Sequence, residues 1–233
     1  MLLEALRNEV WQYNLLLPKY GLVVMTSGNI SGRDPETGLV VIKPSGYSYE
    51  EMTPADMVVV DLSGNILEGH LRPSVDTATH LYVYAHRPDV LGIGHTHSTY
   101  ATSFAALGRP IPSCLTASAM LGGEIPCGGF AAIGGEEIGA EIVRAIGPAR
   151  AVLMRNHGVF TIGNSPKQAA KMAVEVEEIA KITHLALLKG EPILLSREQL
   201  AETGDLYQNI YGQRCPEKAV RHSGFEALAG FCR

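Results

Sequence analysis

Apolar and polar residues alternate along this chain in two periods, and the longer period predicts helices. The N-terminal run MLLEALRNEVWQYNLLLPKYGLV places apolar side chains at helical spacing among acids and amides, which predicts an amphipathic helix. The run SPKQAAKMAVEVEEIAKITHLALLKG gives the clearest helix, because Ser165 is a good N-cap, Pro166 suits the first helical position and Gly190 suits the stop. Three more helices are predicted in DTATHLYVYAHRP, TYATSFAALG and GGEEIGAEIVRAIG.

Short apolar runs lie between these helices and predict strands. They are LVVIKPSG, MVVVDLSGNILEG, VLGIGHTHS and AVLMRNHGVFTIG. The second run turns at Ser63-Gly64-Asn65 and predicts a hairpin, and the fourth predicts a strand or a hairpin. Since strands and helices mix over one continuous stretch without repeats or linkers, we expect an α/β fold in which helices cover both faces of a sheet.

Composition narrows the class of protein. The 233 residues are 46% hydrophobic and 18% charged, as in ordinary globular proteins. A formal charge of −5 disfavours nonspecific binding to nucleic acids or anionic membranes. No apolar run approaches the ~20 residues that span a bilayer, and no signal peptide is apparent. The four cysteines form no C-x-x-C pair and suit a reducing compartment. We therefore expect a cytoplasmic protein.

The stretch LGIGHTHSTYAT ends a predicted strand with two histidines. Residues i and i+2 of a strand share a face, so His95 and His97 project in parallel, about 6–7 Å apart, and can converge on one metal ion. His157 follows a second apolar strand, and three imidazoles suit zinc with a position left open for substrate. A single histidine is more often a surface residue or a hydrogen-bonded core residue. We expect that simpler role for the remaining histidines: His70, His80, His86, His184 and His222.

Two glycine-bearing turns, SGN and PSG, have backbone N–H groups that can point at an anion. Beside the second turn, Lys43 adds positive charge and Ser45 a hydroxyl donor. Each turn taken alone is also compatible with an ordinary surface turn. Taken alone, Asp76 could simply cap the helix that follows it. Taken alone, Tyr211 is an ordinary tail tyrosine, and Tyr207 lies nearby.

Six motifs in fixed order resemble the class II aldolase family: SGNISGRD, KPSGY, RPSVDTATH, GHTHS, NHG and YQNIYGQ. That family includes L-fuculose-phosphate aldolases, L-ribulose-5-phosphate 4-epimerases and the adducin head domain, and the likeness spans about residues 5–213. The resemblance implies a single-domain, three-layer αβα sandwich around a central mixed sheet over residues 1–213, with a C-terminal tail at 214–233. It also implies a homotetramer with active sites between subunits.

The resemblance also assigns roles to residues. It implies one divalent ion per chain, zinc or else manganese or cobalt, held by His95, His97 and His157. Asp76 stands where the family has an acidic residue beside the metal, which is a ligand and can act as base. Tyr211 stands where a tyrosine of the neighbouring subunit donates a proton. Phosphate-binding positions of the family fall on Asn29, Lys43, Ser45, Gly46 and Ser74.

The family reaction breaks the C3–C4 bond of a ketose phosphate, whose enediolate product is stabilised by the divalent ion. An aldolase releases the aldehyde, whereas an epimerase rotates it and rejoins it. The epimerases have an aspartate where this chain has Ala119 or Met120. Fuculose-phosphate aldolases have a tyrosine where it has Thr116, and a second phosphate-site serine is replaced here by Val75.

Residues 117–121 are mostly small or apolar, which predicts an apolar wall for the aldehyde, because hydroxyls buried without partners cost about 1–3 kcal/mol each. We therefore favour cleavage of a phosphorylated ketose, a ketose 1-phosphate of the fuculose-phosphate or the 5-deoxy- or 5-methylthio-ribulose-phosphate type, to dihydroxyacetone phosphate and an aldehyde. The alternatives are an L-ribulose-5-phosphate 4-epimerase, a sugar-acid phosphate decarboxylase of the same family, and a non-catalytic scaffold like the adducin head. The scaffold is expected to have lost its metal ligands.

Overall fold

The structure is a computed structural model that describes residues 1–209 and residue 211. Within those residues one sheet has eight strands: β1 (Asn29–Arg33), β2 (Val40–Ile42), β3 (Val58–Val60), β4 (Ile66–Glu68), β5 (Gly92–Thr96), β6 (Cys127–Gly128), β7 (Ala151–Met154) and β8 (Gly158–Gly163). Their order across the sheet is β4-β3-β2-β1-β5-β8-β7-β6. Only β6 and β7 are parallel, so the sheet is mixed, as expected.

Helices cover both faces of this sheet. Over the described range they are α1 (Glu4–Lys19), α2 (Thr77–His86), α3 (Thr99–Ala106), α4 (Glu137–Ile146), α5 (Pro166–Leu187) and α6 (Arg197–Asn209). Helices α2 and α4 pack together on one face, while α5 packs against α1 and α3 on the other. The result is the predicted three-layer αβα sandwich in a single domain.

Strand β3 shows how the apolar pattern builds the layers. Val58 and Val60 join the core cluster that contains Leu81 of α2, whereas Val59 joins the cluster that contains Val10 of α1. Successive side chains of a strand point to opposite faces, and here both faces are covered. A continuous apolar run is therefore what this strand requires.

The structure confirms the helices and strands that the hydrophobic pattern predicts, including the hairpins β3–β4 and β7–β8. The Ser165 side chain caps α5 by accepting a hydrogen bond from the Gln168 backbone N–H at 3.2 Å. The pattern does not predict β1 or α6. Strand β1 is buried but polar, and the hydroxyl of its Ser31 is bonded to His80 and Tyr84.

Two further predictions concern the domain boundary and membrane-spanning segments. The domain boundary at 213 and the tail at 214–233 lie outside the described residues and stay predictions. None of the helices over residues 1–209 is long and apolar enough to cross a bilayer.

Candidate metal and substrate site

Sheet topology brings the three predicted metal-binding histidines together. Strands β5 and β8 are antiparallel neighbours, with Thr96 opposite Val159, so the end of β5 lies beside the β7–β8 turn that carries His157. The ring centroid of His95 lies 4.7 Å from that of His97 and 4.8 Å from that of His157. One nitrogen of each ring lies within 4.8 Å of the others. A single ion can therefore contact all three rings.

Gly158 permits this close approach. A Cβ atom at this position would lie 2.5 Å from the backbone oxygen of Thr96 and 2.8 Å from Cδ2 of His97. Carbon atoms cannot approach oxygen or carbon that closely, so a larger residue would displace strand β5 or the His97 ring. Asn156, at φ 61°, completes the turn. The sequence NHG thus supplies both a ligand and the space for its partners.

Burial keeps the three imidazoles neutral. It lowers the pKa of His95 to about 3, and it also lowers the pKa values of His97 and His157 below their ordinary range. Nδ1 of His95 lies 3.0 Å from the backbone oxygen of Val159, which can only accept, so Nδ1 carries the proton and Nε2 is left with a free lone pair. This is the form of histidine that binds metal.

Asp76 immediately precedes α2 but its side chain makes no capping hydrogen bond, so the structure does not support the simple capping role. Its Oδ2 accepts hydrogen bonds from Asn29 Nδ2 at 2.7 Å and from Ser74 Oγ at 3.3 Å. Burial raises the pKa of this carboxyl, but the neighbouring histidines, His95 first, and the Asn29 amide outweigh burial and lower it. Asp76 is therefore ionised beside the three histidines.

The three histidines fit a divalent ion, and Asp76 lines the same cavity. Together they offer three neutral imidazoles and one carboxylate, a donor set that suits zinc, manganese or cobalt. In addition, Nδ1 of His157 is buried and has no hydrogen-bond partner among the described residues. A buried nitrogen without a hydrogen-bond partner destabilises the fold, and a bound ion or its water would give this nitrogen a partner.

A buried lysine lies in the same cavity, whose volume is about 270 Å³. The Lys43 ammonium donates to the backbone oxygens of Thr26 at 3.1 Å and Pro44 at 3.3 Å, and it lies 4.7 Å from the centroid of the Tyr49 ring. Burial lowers its pKa to about 8, although Asp76 raises it in part. No carboxylate of the described residues forms an ion pair with it. No carboxylate in that part of the chain therefore neutralises its charge.

The five predicted phosphate-binding residues all line this cavity, but they divide into two groups. Both amide hydrogens of Asn29 are occupied, since Nδ2 donates to Asp76 Oδ2 and, at 3.1 Å, to Ser74 Oγ. The Ser74 hydroxyl in turn donates to Asp76. Phosphate offers mainly acceptor oxygens, so these two residues have no donor left for it. Lys43 contributes its charge at the cavity although its side chain is buried, and the neighbouring Ser45 and Gly46 are exposed.

Two groups of residues that the sequence analysis singles out do not line the cavity of their own chain. Tyr211 is 65% exposed and lies against Tyr207, with ring centroids 5.2 Å apart, but it does not line the cavity. Residues 117–121 pack against α6 and do not line the cavity either, so within one chain they form no apolar wall. The apolar side chains at this cavity are instead the buried Pro44 and the mostly exposed Val75 and Ile133.

Known proteins share the sequence and the fold that carry this site. Residues 8–184 match the family described as the Class II Aldolase and Adducin N-terminal domain. The structure of an L-fuculose 1-phosphate aldolase is 34% identical, with a TM-score of 0.84 over 88% of this chain and 96% of that one. A putative aldolase/epimerase/decarboxylase from Klebsiella pneumoniae is 27% identical, with a TM-score of 0.76 over 85% of this chain and 97% of that one. An l-fuculose-1-phosphate aldolase from Thermus thermophilus is 28% identical, with a TM-score of 0.68 over 81% of this chain and 98% of that one.

Proposed function

This chain belongs to the class II aldolase and adducin N-terminal domain family, and from that premise we propose that it is a metal-dependent lyase that cleaves a ketose 1-phosphate to dihydroxyacetone phosphate and an aldehyde. The observation that carries the proposal is that one cavity is lined both by Asp76 with the three histidines and by Lys43. A ketose 1-phosphate presents its phosphate next to its carbonyl and hydroxyl oxygens and so needs both groups. The 34% identity to an L-fuculose 1-phosphate aldolase supports the same reaction.

The histidines and Asp76 are proposed to hold the metal. A divalent ion at His95, His97 and His157 would supply the Lewis acidity that stabilises the negative charge developing on oxygen as the C3–C4 bond breaks. Zinc, manganese and cobalt are the candidates, at one ion per chain. Lys43 binds the phosphate through its charge, and the turn at Ser45 and Gly46 surrounds the other side of that group.

Asp76 is proposed to move a proton as well. Asn29 and Ser74 hold its Oδ2, whereas Oδ1 has no hydrogen-bond partner among the described residues. The free oxygen can take a proton from a substrate hydroxyl, as a positioned carboxylate base does. We propose that Tyr211 returns a proton from the neighbouring subunit of a cytoplasmic homotetramer, since its own chain places it outside the cavity.

The alternative within the family is L-ribulose-5-phosphate 4-epimerisation. The sequences PSVDTATH and the terminal YGQ are closer to the epimerases than to the fuculose-phosphate aldolases, which favours this alternative. A decarboxylase would use the same metal and base. The non-catalytic scaffold is disfavoured, because the three histidines and Asp76 are present and lie together.

The test is a substrate panel. Metal-loaded protein would be incubated with ketose 1-phosphates and 5-phosphates, with dihydroxyacetone phosphate followed by coupling to glycerol-3-phosphate dehydrogenase and pentose phosphates by chromatography. We expect cleavage of a ketose 1-phosphate, lost in His95→Ala and kept in His86→Ala, whose ring is exposed on α2. Faster epimerisation than cleavage, or cleavage that persists in His95→Ala, would contradict the proposal.

A further inference from the structure

Tyr49 contacts Lys43, one of the residues that line the cavity, but does not line the cavity itself. The side chain is buried, at 6% exposure. Its hydroxyl lies 2.9 Å from the backbone oxygen of Ser27 and 2.9 Å from that of Gly28, so its one hydrogen is shared between the two carbonyls. The face of its ring lies 4.7 Å from the Lys43 ammonium. One side chain thus touches both the SGN turn and the lysine.

The turn that Tyr49 contacts is tightly constrained. Met25 and Gly28 have positive φ angles of 54° and 73°. A Cβ atom at Gly28 would lie 2.8 Å from the backbone oxygen of His95, so the turn is pressed onto strand β5. The carbonyls of Ser27 and Gly28 face inward to the Tyr49 hydroxyl. Removing that hydroxyl leaves two carbonyls without their donor, and the turn must shift to recover one.

Lys43 depends on the same arrangement. Its ammonium is held by the backbone oxygen of Thr26, the residue before Ser27, and by the π-face of Tyr49. A cation over an aromatic face is attracted by the ring quadrupole, and the attraction is stronger when the cation is desolvated. Lys43 is 2% exposed, so water contributes little to holding it in place. Tyr49 therefore determines the position of the lysine twice, directly through its ring and indirectly through the turn.

We propose that Tyr49 is a positioning residue of the anion site, which fixes the Lys43 ammonium and the Ser27–Gly28 turn in the arrangement that accepts the substrate phosphate. The inference rests on the proposed function in one respect, namely that the anion is a phosphate. It predicts a selective defect. Phosphate affinity and KM should change, while metal content and kcat stay close to those of the wild type, because no contact joins Tyr49 to the histidines or to Asp76 among the described residues.

The experiment titrates full-length, metal-loaded protein with inorganic phosphate by calorimetry and measures KM and kcat with the cleaved ketose phosphate. Tyr49→Phe removes the hydroxyl and keeps the ring, whereas Tyr49→Leu removes both. Tyr47→Phe is the matched control, because it deletes a hydroxyl on the same loop from a half-buried ring. We expect phosphate affinity about three- to tenfold weaker in Tyr49→Phe, weaker still in Tyr49→Leu, and within twofold of wild type in Tyr47→Phe.

A double-mutant cycle with Lys43→Met separates positioning from general stability. If Tyr49 acts on phosphate through Lys43, Tyr49→Phe should weaken phosphate binding less in the Lys43→Met background than in the wild type. Tyr49→Phe is nearly isosteric and carries the test alone if Tyr49→Leu does not fold. Wild-type phosphate affinity in Tyr49→Phe, or full additivity in the cycle, would overturn the role of Tyr49. Failure of the wild-type protein itself to bind phosphate would instead contradict the proposed function.

Discussion

Lys43 should make substrate capture depend on pH in the alkaline range. Burial lowers the pKa of its ammonium to about 8, with Asp76 opposing that shift in part. Only the charged form attracts a phosphate, and kcat/KM reports the protonation state of the free enzyme. We therefore expect kcat/KM for the ketose phosphate to be level below pH 8 and to fall about tenfold per pH unit well above it, since about one lysine in ten stays charged at pH 9.

Lys43→Arg provides the matched test, because an arginine stays protonated throughout this range. Initial rates at low substrate concentration would be measured between pH 7 and 10 in both proteins, with dihydroxyacetone phosphate as the coupled product. The alkaline fall should disappear in Lys43→Arg, even if its absolute kcat/KM is lower through the changed geometry. A level wild-type profile up to pH 10, or an identical fall in both proteins, would refute the assignment and point to another titrating group.

Four further predictions address the metal site, the fold and the oligomer. His157→Ala should reduce bound divalent metal from about one ion per chain to almost none by elemental analysis, with the core still folded; full metal content would place the site elsewhere. Gly158→Ala should weaken metal binding at least about tenfold in a competition titration, since its Cβ would overlap the His97 ring; unchanged affinity would show that the turn adapts freely. Burial lowers the pKa of His80 to about 4, so the unfolded chain protonates first, and His80 should contribute about 3 kcal/mol to the unfolding free energy that metal-free wild type loses between pH 6.5 and 4. The buried metal-site histidines lose stability in the same range, so His80→Gln should lose less than wild type by about that amount in denaturant titrations, and an equal loss in both proteins would contradict the role of His80. Mixing inactive Tyr211→Phe with inactive His95→Ala subunits should restore part of the activity if Tyr211 acts across an interface; no recovery despite confirmed subunit exchange would count against that role.

The fold could be predicted where the sequence carries its own periodicity. Helix α5 begins at its Ser165–Pro166 cap, and β3 is a continuous valine run because both of its faces are covered. Strand β1 could not be predicted this way, since Asn29 and Ser31 are polar yet buried. Their burial is tolerated because Ser31 bonds to His80 and Tyr84 and Asn29 to Asp76, partners about 50 residues away that the local pattern does not reveal.

For the site, too, short-range spacing in the sequence predicts some features, whereas others depend on contacts between residues far apart in the chain. The i, i+2 spacing predicts that His95 and His97 share a face, the apolar strand before NHG makes His157 a third candidate, and the family resemblance implies that all three bind the metal. The distances between them depend on β8 lying next to β5, which is a property of the sheet order. Tyr49 could not have been found from spacing, because its partners are two backbone carbonyls and the ammonium of a lysine. The motif KPSGY ends two residues before it.

The polar groups in the cavity bear on the choice between cleavage and epimerisation. Asp76 is the only carboxylate among the described residues that line the cavity, and one of its oxygens is already held by Asn29. Cleavage needs one base to take a proton from a substrate hydroxyl, and the second carboxylate oxygen of Asp76 can be that base. Epimerisation also needs a proton-transfer group at the opposite face of the rotated aldehyde. General acid–base groups contribute about 10²–10⁴-fold in rate. Ala119 is buried against α6 and has no proton to offer. A second proton-transfer group would have to come from the neighbouring subunit, where the proposed donor is a single tyrosine. The arrangement therefore favours release of the aldehyde over its return to the opposite face.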